Sequence, residues 1–339
     1  MTNLRFAILG TGFWAHFQLA GWQELEGVEC VALYNRTRVK ADALAQKFGI
    51  PHVYDSVEEM LDKEQLDFVD IITDVGTHAN LTRMAVERDF NVICQKPMAT
   101  SLEEARSMVD ICREAQLQLL INENWRWQYP VRQFKRILDE GRIGKPFRAR
   151  VHFCNSFPVF DNQPFLKELD QFILTDIGSH ILDTTRYLFG DAKSLYCQTT
   201  RVHPDIKGED VATVMMHMES DVNVVCEMSY ASRTEIESFP QTYVYVEGDQ
   251  GFLELGPDYK VRETTLDGTC IRQFTPQHYQ WADPAYDLVH SSIVACQADL
   301  LKHLKGEKIA ETNGDDNFKT VELVFASYES ARTGKPVFF

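Results

Sequence analysis

The 339-residue sequence predicts an α/β protein in two parts: an N-terminal doubly wound parallel sheet, then a C-terminal α/β domain with a large, mainly antiparallel open sheet. Three observations predict it. The apolar stretch Leu4–Leu9 runs into Gly10-Thr11-Gly12-Phe13-Trp14-Ala15 and then into a helical pattern. Strand and helix signals alternate from there to Asn124, which favours a parallel sheet covered by helices. After the Gly- and Pro-bearing stretch from Gly141 to Pro146, short alternating segments separated by tight turns take over, as in antiparallel sheets.

Taken in order, the first element carries the most chemistry. Strand, Gly-x-Gly-x-x-Ala, helix is the dinucleotide fingerprint of the Rossmann fold in its required context. Gly10 permits the turn, Gly12 lets the backbone approach a pyrophosphate, and Ala15 allows close helix–strand packing. The second strand, Glu29–Asn35, ends in Asn35 where an acidic residue normally meets the adenosine ribose. Asn35 can still bond a ribose, and Arg36 could pair with a 2′-phosphate, so NAD and NADP both stay open. The next elements are a helix over 38–48, an extended piece at Val53-Tyr54, and a helix capped by Ser56 and Glu59. A buried strand over 68–73, a helix over 80–88, a strand over 91–94, a helix capped by Ser101 and Glu104, and a strand over 117–121 complete the alternation. Ligands of such sheets bind outside the carboxyl ends of the strands. Polar residues gather there: Thr73, Asp74, His78, Gln95, Lys96, Asn124 and Arg126. Lys96 follows a buried strand and precedes Pro97, so its backbone is restrained and it can donate to a substrate hydroxyl.

The second half reads as at least six strands between residues 147 and 274, then long helices over 286–304 and 315–333. Between the first two strands, Gln171 to Phe189 has helical spacing and contains Asp176 and His180. Four residues apart on a helix, they share one face, and a carboxylate beside an imidazole can set its tautomer and basicity. Taken alone, the pair also reads as a solvated pair on an amphipathic helix. Residues 155–165 mix Asn155, Asn162 and Gln163 with phenylalanines, which suits either a neutral polyhydroxyl ligand or an irregular surface loop. The open face of the antiparallel sheet suggests self-association.

Fifty acidic against 34 basic residues give a net charge of -16, which disfavours nucleic acid and anionic membranes. No apolar run reaches transmembrane length, and the start lacks a secretory pattern. The eight cysteines are scattered without metal spacing, reading as reduced core residues of a cytoplasmic protein with no metal site.

Together the glycine turn, Thr73 with His78, Gln95-Lys96-Pro97, Asp176-x-Gly178-x-His180 and the ending from Gly306 to Pro336 resemble the Gfo/Idh/MocA oxidoreductase family over nearly the whole chain. Gln95 stands where the family usually has Glu, and Asp74 where it often has Pro. The resemblance implies a dinucleotide-binding Rossmann domain over 1–124. It implies a substrate-binding and oligomerisation domain over 125–339, whose last helix can return to the first domain. It also implies NAD or NADP, a sugar or cyclitol substrate, and homodimers or homotetramers formed through the C-terminal sheet. Lys96, Asp176 and His180 match the catalytic group, with His180 as base, Lys96 on the reacting oxygen, and Asp176 orienting the substrate and His180. Cofactor contacts fall on Gly10, Thr11, Gly12, Phe13, Trp14, Asn35, Arg36, Thr73, Asp74, His78, Gln95, Lys96, Asn124 and Arg126. Substrate contacts fall on Lys96, Trp125, Asn155, Asn162, Gln163, Asp176 and His180. Within the family, 93–98, 122–127 and 156–165 look similar to a branch of pentose-type sugar dehydrogenases, the D-apiose dehydrogenases among them. That branch implies NAD and oxidation of an aldose to its lactone. A noncatalytic NAD(P)-binding regulator and an NAD-dependent glycosidase are the alternatives on the same fold.

Overall fold

A computed structural model describes residues 3–234 and 241–339. The chain forms two compact units, Met1–Asn124 with His290–Val321, and Trp125–Val289 with Glu322–Phe339.

Among the described residues, the first unit holds six parallel strands in the order β3-β2-β1-β4-β5-β6. They are β1 Leu4–Leu9, β2 Val28–Tyr34, β3 His52–Tyr54, β4 Phe68–Ile71, β5 Asn91–Gln95 and β6 Leu119–Asn122. The connecting helices are α1 Phe13–Gln23, α2 Arg38–Phe48, α3 Val57–Lys63, α4 His78–Val86 and α5 Leu102–Glu114. This is the doubly wound arrangement, and β1, β4, β5 and β6 are buried nearly throughout because helices cover both faces. Ser56 and Ser101 cap α3 and α5, accepting from the amides of Glu59 and Glu104 at 3.1 Å each. Residues 290–321 join this unit through buried side chains. Asn124 donates to Ser292 at 2.7 Å, Gln297 to Gln18 Oε1 at 2.8 Å, and Thr312 to the Ile121 carbonyl at 2.8 Å.

The second unit holds nine strands in the order β14-β13-β12-β11-β7-β10-β9-β8-β15 among the described residues. They are β7 Pro146–Cys154, β8 Ala192–Thr200, β9 Val211–Met218, β10 Asn223–Ser229, β11 Tyr243–Gly248, β12 Gly251–Gly256, β13 Lys260–Thr265, β14 Gly268–Gln273 and β15 Val337–Phe338. Its helices are α6 Tyr129–Asp139, α7 Val159–Asn162 and α8 Ser179–Phe189. The helices α9 Asp287–Leu304 and α10 Gly314–Thr333 complete the chain. All pairings in this sheet are antiparallel except β7 with β10. Register assigns each face its residues. One cross-strand row, Val261-Leu255-Val244-Val151-Cys226-Val214-Cys197, is buried and belongs to the core that also takes in Phe134, Ile137, Ile181 and Leu182. The next row, Ile271-Arg262-Glu254-Tyr245-Arg150-Val225-Met215-Tyr196, lies on the opposite face. Ion pairs cross that face between Arg148 and Glu247, Arg150 and Glu227, and Arg262 and Glu254.

The structure departs from the sequence reading in four places. Helix α6 was not expected, although Val131, Phe134, Ile137 and Leu138 have helical spacing and are buried. The final strand β15 is two residues long, too short for periodicity to register. Pairing of β7 with β10 is parallel, which no local pattern encodes. The expected helix over 171–189 opens with a π-helical turn, Leu174–Gly178, before α8 begins. Among the described residues, no helix is long and apolar enough to cross a membrane, no cysteine is disulfide-bonded, and no metal-competent cluster occurs.

A buried acid sits inside the first unit. Asp70 in β4 is fully buried and accepts from Trp22 Nε1 at 2.8 Å and Asn122 Nδ2 at 3.1 Å. Burial dominates over these two donors and pushes its pKa up to about 7 from 3.8. Between those values the folded protein holds a proton that the unfolded chain has released. The resulting stabilisation is complete below about pH 4 and is lost as pH rises through about 7, with a slope of at most about 1.4 kcal/mol per pH unit. Calorimetry of Asp70→Asn should therefore show the wild type losing stability relative to the variant between about pH 4 and 7.

Candidate active site

In the first unit, the carboxyl ends of β1, β4 and β5 bring together the glycine turn, Thr73 and Lys96. Gly10 has φ +101°, and a Cβ there would lie 2.5 Å from the Ile72 carbonyl oxygen, so only glycine fits. Beside Gly12 a Cβ would meet nothing within 4 Å, and Gly12 precedes α1 with no side-chain cap on the helix amides. Open space beside uncapped helix amides fits a dinucleotide pyrophosphate. Asn35 braces this turn: its Oδ1 accepts from Thr11 N at 3.2 Å and its Nδ2 donates to the Thr37 carbonyl at 3.0 Å. Arg36 is exposed beside it. Phe13 is exposed, edge-on to Trp14 at 5.3 Å and to Phe17 at 5.2 Å.

His78 works as a staple. It is buried, with Nε2 3.1 Å from the Thr73 carbonyl and Nδ1 3.1 and 3.2 Å from the carbonyls of Pro97 and Met98. It thereby ties the end of β4 to the turn that carries Lys96. Burial lowers its pKa, outweighing the carbonyls. Gln95 steadies the same turn, its Oε1 accepting from Lys96 N at 3.0 Å. Lys96 itself is half-buried. Next to Asp74, the Thr77 hydroxyl donates to the Asp74 carbonyl at 2.8 Å and lies 2.7 Å from Thr73 Oγ1. The Asn124 amide, read from sequence as a cofactor contact, is buried and bonded to Ser292.

In the second unit, the segment carrying Asp176 and His180 is held at its head by Glu209. The Glu209 carboxylate is buried, and its Oε1 accepts from Phe172 N and Leu174 N at 3.2 Å each and from the Tyr328 hydroxyl at 2.9 Å. The Glu209 carbonyl accepts from Ile173 N at 3.1 Å, and the Tyr328 oxygen accepts from Thr175 N at 3.2 Å. Four consecutive amides at a helix start are thus satisfied, with negative charge at the positive end of the dipole. The π turn follows at once, a widening frequent at functional sites. Asp176 Oδ2 accepts from the Tyr230 hydroxyl at 3.2 Å. One turn on, the buried His180 ring lies parallel to the Trp125 indole, 4.3 Å between centroids and 2° between planes. A further turn on, Asp183 is fully buried in a two-pronged pair with Arg126, Nε to Oδ2 at 2.7 Å and Nη2 to Oδ1 at 2.5 Å. Arg126 was read from sequence as a cofactor contact. The structure directs these two donors into the helix that carries His180, because Asp183 is a buried acid that needs a partner.

Asn155 is buried and works on its own loop. Its Oδ1 accepts from Phe157 N at 3.0 Å, while its backbone joins Ser229 and Ser232 at 3.0 and 3.2 Å. Gln163 is half-buried at the start of a short 3-10 turn, and the Asn162 side chain lies outside the described residues. Phe160 of this loop packs on Phe172 at 5.4 Å. Sequence reasoning missed Glu209, Tyr230 and Tyr328, for no motif links them to residue 176.

Comparison with known proteins agrees with this architecture. Residues 4–123 match the family model described as an oxidoreductase family with an NAD-binding Rossmann fold, and residues 131–254 match the GFO/IDH/MocA C-terminal domain. The chain is 41% identical over 331 residues to a D-apiose dehydrogenase of Paraburkholderia graminis, covering 98% of this chain and 88% of that protein. It is 37% identical over 337 residues to a D-apiose dehydrogenase of Rhizobium rhizogenes, covering 99% and 98%. An oxidoreductase from Agrobacterium radiobacter, solved with NAD+, L-tartaric acid and magnesium, superposes with a TM-score of 0.97 at 37% identity, covering 99% and 98% of the two chains.

Glu209→Ala should lower the urea-unfolding free energy by about 3 kcal/mol, because it leaves several buried donors unpaired. Glu209→Gln, which keeps an acceptor oxygen, should lose less.

Proposed function

This chain belongs to the Gfo/Idh/MocA oxidoreductase family, and on that premise we propose that it is a sugar dehydrogenase acting on an aldose, D-apiose or a related pentose, at the anomeric carbon to give the lactone. NAD is the proposed cofactor; when bound it supplies the acceptor for the hydride leaving the carbinol carbon. His180 takes the hydroxyl proton onto its imidazole. Its ring can do so reproducibly because Trp125 fixes its plane, and an indole face stabilises the imidazolium that forms. Lys96 donates to the reacting oxygen as negative charge develops there. Asp176 accepts from a substrate hydroxyl and orients the sugar. Gly10, Thr11, Gly12, Phe13 and Trp14 receive the pyrophosphate end of the cofactor, with Asn35 and Arg36 toward the adenosine ribose. Thr73, Asp74 and Gln95 line the nicotinamide side. Trp125 and Gln163 contact the sugar in this proposal, while Asn155 holds its own loop. His78, Asn124 and Arg126 take positioning roles in this proposal, since their polar atoms bond within their own unit. The observation that carries the reading is the buried, stacked His180, which is not the solvated surface pair that Asp176 and His180 could have been.

The test is formation of reduced nicotinamide, followed by absorbance, with D-apiose, D-xylose and inositols against NAD and NADP. Turnover should be fastest with a pentose and NAD. Lys96→Ala and His180→Ala should each lose at least about 100-fold in kcat while still binding NAD. Wild-type turnover in both variants would sink the assignment. Sugar released from a glycoside without net reduced cofactor would move it to a glycosidase.

The proposed assembly is a homodimer or homotetramer through the outer face of the nine-stranded sheet. An exposed Met215 sits there among cross-strand ion pairs. Light scattering should report two or four chains, and Met215→Glu should shift the population toward smaller species.

A further inference from the structure

Tyr230 follows β10 and is buried. Its ring stacks on Phe172, 5.7 Å between centroids and 8° between planes, and meets Phe153 edge-on at 5.6 Å. Its amide donates to the Asp210 carbonyl at 3.0 Å. Ring and backbone are therefore both fixed, and the hydroxyl is delivered to one atom, Asp176 Oδ2, at 3.2 Å. We propose that Tyr230 is a positioning residue for the reaction, a buried phenol that sets the plane of the Asp176 carboxylate. The proposal rests on the reading of Asp176 given above and adds a residue to it.

The need for such a residue follows from the local chain. The terminal torsion of an aspartate is broad, so its rotamer alone leaves the carboxylate plane loosely defined. Asp176 also lies within a π turn, where the helix is wider than usual. A donor from a different element removes that freedom. Tyr230 is suited to it because Phe172 packs against its ring and has its own amide on Glu209, so one brace holds both helix start and phenol. Burial first, and then the Asp176 charge, push the phenol pKa well up, so the hydroxyl keeps its proton and acts only as donor. A misplacement of about 1 Å in a catalytic group can cost on the order of 100-fold in rate. Loss of one bond to a carboxylate that is otherwise in place should cost less, about tenfold.

Tyr230→Phe keeps the ring and both aromatic contacts while removing only the donor. The experiment compares wild type, Tyr230→Phe, Asp176→Asn and the double variant for kcat, aldose KM, NAD affinity and melting temperature. Expected for Tyr230→Phe are a kcat about tenfold lower, unchanged NAD affinity and a melting temperature close to wild type. In the Asp176→Asn background the same change should add no further loss, a non-additivity that a purely structural tyrosine would not produce. Turnover of Tyr230→Phe within twofold of wild type, beside a crippled Asp176→Asn, would overturn the role of Tyr230 alone. Additive losses in the double variant would do the same. Wild-type turnover in Asp176→Asn would instead remove the reading of Asp176 itself, and the role of Tyr230 with it.

Discussion

The carboxylate of Glu209 at the head of the 172–189 segment is the constraint on which the second unit's chemistry depends. A helix start exposes amides that must find acceptors, and this one lies among buried residues away from solvent. Glu209 and Tyr328 answer four of them in succession. Once the start is fixed, everything downstream has a place: Asp176 in the wide turn against Tyr230, His180 flat on Trp125, and Asp183 clamped by Arg126. Each of three successive turns is held from outside the helix, the first by Tyr230 and the next two by the neighbours Trp125 and Arg126. Such over-determination keeps these side chains in one geometry, as the proton transfer proposed for His180 requires.

The first unit solves a different problem. The chain carries a net charge of -16, yet it has to receive a phosphorylated dinucleotide. In the proposed reading it does so with backbone. The turn from Gly10 to Gly12 and the bare start of α1 present amides and a helix dipole, whose pull is local and not opposed by distant surface acids. Asn35 and His78 are the braces of this arrangement, one holding the turn to the end of β2, the other holding the Lys96 turn to the end of β4.

Legibility in the sequence followed the range over which each signal acts. Parallel alternation, the glycine turn, the serine caps and the helical spacing around Asp176 are local and could be read directly. The outer and inner faces of the large sheet were legible as alternation, but the parallel pairing of β7 with β10 was not, since partners 75 residues apart, such as Arg148 and Asn223, leave no mark on either strand. Arg126 and Asn124 show the limit most clearly. A polar residue at a strand end looks the same in sequence whether it faces a ligand or a buried acid. Only the fold brings up Asp183 and Ser292, each more than fifty positions away, to engage them. Glu209, Tyr230 and Tyr328 were unreadable for the same reason.

The flat stack of His180 on Trp125 also has an optical meaning. An excited indole readily gives up an electron, and an imidazolium accepts it far better than a neutral imidazole does. With the two rings parallel and in contact, the emission of Trp125 should dim when His180 gains its proton and brighten when it loses it. The side chain that holds the His180 ring in place thereby doubles as a reporter of its charge, legible from the resting protein with no sugar present.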